Sequence, residues 1–153
     1  MIRIRKLLKS IFTIGSLLIL LASTSASQEL GIVAVVNDEA ITAFDLSERL
    51  DLAISTSGLE NNKETRNRIA PQILRSLIDE SLQNQELKRL GLEVSNLEIS
   101  NAIGVLEERN GIPPGGFREA LENQGLNIQT LIKQISAEIA WNKILRREIF
   151  SKI

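Results

Sequence analysis

The chain has no cysteine and no histidine. Their absence excludes thiol nucleophiles, Ser-His and Cys-His catalysis, and the common zinc sites. It leaves the redox compartment open, because a chain without thiols is indifferent to oxidation. Aromatic residues make up only 3% of the 153 positions, and Leu and Ile carry the apolar content. That balance favours helix packing over a β-sandwich. Proline occurs three times, and two of those, Pro113 and Pro114, fall side by side within Gly111 to Gly116, where no continuous helix can pass. No pattern of residues asks for a cofactor or a metal.

What is present begins with a leader. Arg3, Arg5, Lys6 and Lys9 precede an apolar run of eleven residues, Ile11 to Leu21, and Ala22 to Ala26 supplies small residues for cleavage. This is the pattern of a secretory signal peptide over residues 1–26. The run falls short of the roughly 20 residues of a spanning helix, so no membrane span is expected after cleavage. The leader holds four of the 18 basic and none of the 19 acidic residues, leaving residues 27–153 with 14 against 19 and a net charge of −5. Nucleic acid is therefore not an expected partner.

The longest stretch of helical periodicity is Pro71 to Leu90, with Ile73, Leu74, Leu77, Ile78, Leu82 and Leu90 on one stripe. Pro71 either opens this helix or kinks one that starts near Glu64. Lys88 and Arg89 suit the negative end of the helix dipole, and Gly91 provides a left-handed cap. Upstream, β-branched Val33, Val35 and Val36, then Asn37-Asp38, then Ile41, read as a hairpin. Thr42 with Asp45 forms a capping box for a helix from Ala43 to about Ser55, with Phe44, Leu46, Leu50 and Ile54 inward. Downstream, Ser95 with Glu98 opens a third helix to about Arg109, carrying Leu97, Ile99, Ala102, Ile103 and Leu106. A short helix over Phe117 to Asn123 and a long one after Asn127 complete the chain. The expected fold is mainly α, a multi-helix orthogonal bundle with a small N-terminal β-hairpin, filling residues 27–153 as one domain.

Adjacent acids Asp79-Glu80 and Glu107-Glu108 diverge by about 100° on a helix and cannot converge on a substrate, so they read as solvated faces. The glycines from 111 to 116 lack the Lys-Ser/Thr of a phosphate loop and read as a turn. What remains is apolar helical surface. The last helix is apolar around more than half its circumference, so it either touches neighbours on two sides or leaves a side open for binding. The candidate peptide-binding residues are Leu77, Leu82, Phe117, Ile135, Trp141 and Leu145, each of which could equally be core.

Taken together, VAVVNDEAIT, ILRSLIDESLQNQELKRLGLEVSNLEI, FREALENQGLN and the long closing helix resemble the N-terminal domain of SurA-type periplasmic chaperones over residues 31–153. The motifs that carry the resemblance are VVND-x-x-IT leading into a helix and LID…LKRLG-x-x-VS. The resemblance implies a peptide-binding fold of the trigger factor/SurA kind and a periplasmic module for unfolded outer-membrane proteins. In that family the domain is followed by parvulin-type prolyl isomerase domains and a helix that returns to it. Here the sequence stops at Ile153, so no isomerase activity is expected of these residues. Surface covered by the returning segment, including the hairpin edge from Val33 to Val36, is then expected to be open. Two other readings stand beside a non-catalytic chaperone: the front portion of a larger or split isomerase, and a module completed by a second copy or a separate partner.

Overall fold

The computed structural model describes residues 31–148, with the backbone and side chains of that span in place. The expected leader lies outside the described residues. Two strands, β1 (Ile32–Val36) and β2 (Glu39–Thr42), precede five helices: α1 (Ala43–Thr56), α2 (Lys63–Arg89), α3 (Asn96–Arg109), α4 (Gly116–Glu122) and α5 (Ile128–Glu148). The architecture is mainly helical with an antiparallel N-terminal hairpin, in agreement with the sequence pattern.

The hairpin turns through Asn37-Asp38, and of the two only Asn37 takes a positive φ, 54°. Pairing runs Val36 to Glu39, Val35 to Ala40 and Ala34 to Ile41, then slips at Val33 before Ile32 meets Thr42. Two strands cannot stand alone in water, and this pair lies on α2. The Gln85 side chain donates to the Val36 carbonyl at 3.0 Å, while Ser81 Oγ donates to Glu39 at 2.9 Å. Val36 and Ile41 turn inward.

Local chemistry sets the helix ends. Thr42 with Asp45 and Ser95 with Glu98 both form complete capping boxes. α2 is longer than its apolar stripe suggests: it starts at Lys63, where the Asn62 side chain accepts from the Thr65 amide at 2.9 Å, and Pro71 sits within it. At its C-terminus Gly91 adopts φ 64°, the Leu92 amide returns to the Leu87 carbonyl, and the Gly91 amide to that of Lys88. This is a Schellman closure, and Leu92 beyond it packs against the cluster of Leu87, Ala140 and Ile144.

The core sits on α5 rather than on α2. Leu52, Leu121, Ile128, Leu131 and Ile135 form one buried cluster, and Leu87, Ala140 and Ile144 a second. Both draw on α5, which touches all four other helices. The apolar girth of α5 is thereby used mostly for packing, at about 1.5–3 kcal/mol for each large side chain buried. Phe44, expected to face inward, is 59% exposed, and Leu97, an apolar residue of α3, is 70% exposed. Phe44 sits in the first turn of α1, whereas the buried residues of that helix, Arg49, Leu50, Leu52 and Ile54, all lie farther along it.

Candidate functional site

α2 and α5 meet where Leu87 packs on Ala140 and Ile144, and farther along α2 they enclose a cleft of about 630 Å³ with α1 and the α3–α4 corner. Leu52, Ile73, Leu106, Phe117, Leu131 and Ile135 give it an apolar floor. Thr56, Ser76, Gln83 and Gln134 add neutral hydrogen-bonding groups to its walls. A volume of this order is that of a small-ligand pocket, and the lining suits a large apolar side chain with a stretch of main chain.

An ion pair lies in the wall. The guanidinium of Arg49, its side chain 5% exposed, clasps both carboxylate oxygens of Glu80, the second at 2.8 Å. Its third nitrogen, Nε, is buried without an acceptor among the described residues. Glu80 is therefore no solvated acid, contrary to the reading of Asp79-Glu80 as a water-facing pair. It stands seven residues after Ile73, two turns along the same stripe, and a lone acid in an apolar stripe was the available signal. Glu107 corrects the second acidic pair. It is 5% exposed, and its carboxylate accepts from the amides of Gly115 and Phe117, each at 3.0 Å. A charge-assisted cap of this kind fixes the α3–α4 corner and with it the position of Phe117 in the cleft. Glu108, by contrast, is exposed.

The six residues singled out by periodicity do not form one surface. Phe117 and Ile135 line the cleft, Ile135 as a 4% exposed member of the core cluster. Trp141, 44% exposed, and half-buried Leu145 lie on the α5 stripe that continues from Gln134 and Glu138, all four within about 60° at 3.6 residues per turn. Leu77 is half-buried beside a small gap shared with Phe44 and Arg49. Leu82 is 45% exposed and stands about 180° around α2 from Ile73, away from the cleft.

The remaining electrostatics hold α3 against α5. The Lys143 ammonium bridges Glu98 at 2.7 Å and the Glu93 carbonyl at 2.6 Å. The Lys143 hydrogen bond, joined by the backbone amide and hydroxyl of Ser95, lowers the Glu98 carboxyl to about 2. Among the described residues no group of acids is placed to hold a metal ion, and no helix is long and apolar enough to cross a membrane.

A family model, the SurA N-terminal domain, matches residues 31–145. This chain belongs to the SurA N-terminal domain family. The match is to that domain and not to a parvulin-type isomerase domain. Among relatives, Chaperone SurA of Pseudomonas syringae pv. tomato is 30% identical over 146 residues, 92% of this chain and 33% of the relative. Chaperone SurA of Bordetella pertussis is 29% identical over 126 residues, covering 80% of this chain and 24% of the relative. An uncharacterized protein of Rickettsia bellii is 32% identical over 123 residues, 80% of this chain and 41% of the relative. The chain spans about a third of the length of the first of these relatives.

Proposed function

We propose that this chain is an exported chaperone module that holds unfolded, apolar-rich segments of outer-membrane proteins in the periplasm and performs no chemistry on them. The observation that carries this reading is the open cleft with an apolar floor, in a member of the SurA N-terminal domain family whose relatives are named as chaperones. An apolar client side chain entering the cleft would leave water against Leu52, Phe117 and Leu131, while main-chain groups meet Gln83 and Gln134. The exposed Trp141 extends apolar surface along α5 beyond the cleft. Export by the leader, with cleavage after Ala26, belongs to the same proposal; N-terminal sequencing of the protein from a periplasmic fraction should then start at Ser27. The deciding assay dilutes a urea-unfolded outer-membrane barrel protein into buffer with the mature chain and without ATP. Aggregation followed by light scattering should slow in proportion to the chain added. Unchanged aggregation at several-fold excess would refute the reading.

A further inference from the structure

The charges around the cleft point to which segments it takes. Among the described residues Arg49 is its only cationic lining residue, and both arms of its guanidinium are occupied by Glu80. Asp79 on α2 and Glu138 on α5 also line the cleft, and neither side chain has an ion-pair partner among the described residues. Arg75, one turn before Asp79, makes no ion pair with it. The apolar floor is thus bordered by two carboxylates without an ion-pair partner, on facing helices, while the cation lining the cleft is held within its own pair.

We propose that the cleft selects extended segments in which a large apolar side chain is flanked by Lys or Arg, with Asp79 and Glu138 facing the flanking cations. This rests on the chaperone reading and deepens it. The apolar side chain supplies affinity by leaving water, the two carboxylates supply discrimination, and acid-flanked segments are rejected by like charge.

The test uses the mature full chain and three capped, fluorescein-labelled nonapeptides with the same central Leu and Phe, flanked by Lys, Gln or Glu. At low salt the Lys-flanked peptide should bind about tenfold more tightly than the Glu-flanked one, with the Gln-flanked peptide between, and the spread should shrink at about 0.5 M salt. In the Asp79→Asn/Glu138→Gln double variant the three peptides should bind alike. An equal affinity for all three peptides in the wild-type chain, or a preference that survives the double variant, would overturn the inference. If no peptide binds while the chain still suppresses aggregation of the barrel protein, the inference fails and the chaperone reading stands. If the chain does neither, both fail. Concentration-dependent dimerisation that competes with the Lys-flanked peptide would assign the cleft to a second copy and also overturn it.

Discussion

Replacing Glu80 by Gln keeps the shape of the side chain, removes its charge and turns one oxygen that faces the Arg49 guanidinium into an amide donor. Arg49 then remains with a side chain 5% exposed, no carboxylate partner, and an Nε that already lacks an acceptor. Removing one member of a buried pair costs about 3–5 kcal/mol, because the other charge is left uncompensated. Glu80 is 17% exposed, so water can reach part of the site and the expected loss is about 3 kcal/mol. For a domain of this size that corresponds to a fall in Tm of about 10–15 °C. Urea unfolding followed by far-UV circular dichroism measures it, with an unchanged m-value as the sign that the folded state is intact. The Arg49→Met/Glu80→Leu double variant removes both charges and should return to within about 1 kcal/mol of the wild type. A Glu80→Gln cost under about 0.5 kcal/mol, or a double variant as weak as the single one, would refute the claim that the pair is energetically buried.

Ile135→Ala should lose about 2–5 kcal/mol by opening a cavity in the core cluster, whereas Trp141→Ala should lose under about 1 kcal/mol, since Trp141 is 44% exposed; chemical denaturation of both separates core from surface. Glu107→Gln should cost about 1.5–3 kcal/mol by weakening the bonds to the Gly115 and Phe117 amides, while Glu108→Gln beside it stays within about 0.5 kcal/mol, by the same measurement. The Glu98 carboxyl, lowered by Lys143 and Ser95, makes a contribution to stability that is complete above its ordinary value of 4.5 and lost as pH falls through about 2. Carboxyl-carbon NMR titration should place its midpoint near that lowered value, and Lys143→Gln should move it upward.

Element types were legible because they rest on local chemistry: alternating valines, the Asn37 turn, two capping boxes and the glycine at position 91 each act within a few residues. What could not be read depends on neighbours far along the chain. Arg49 and Glu80 are 31 residues apart, and nothing local to either announces the partner. Glu107 reaches over the double proline to cap Gly115 and Phe117, a contact that exists only once the corner has folded. The candidate binding residues show the same limit. Periodicity placed Leu77 and Leu82 on one stripe of α2, but that stripe faces a cleft on one flank and the hairpin on another, so Leu82 lands on the far side. The prominence of α2 in the sequence reflects its length, while the core forms on α5, which touches every other helix.

The central claim is that clients are held in the cleft between α2 and α5. Photo-crosslinking residues placed singly at Gln83, Gln134, Trp141 and Leu82, each in the mature chain mixed with an unfolded outer-membrane barrel protein, test it most directly. Strong crosslinks from positions 83, 134 and 141 with little from 82 are predicted. Crosslinks concentrated at position 82, or equal at all four, would contradict it.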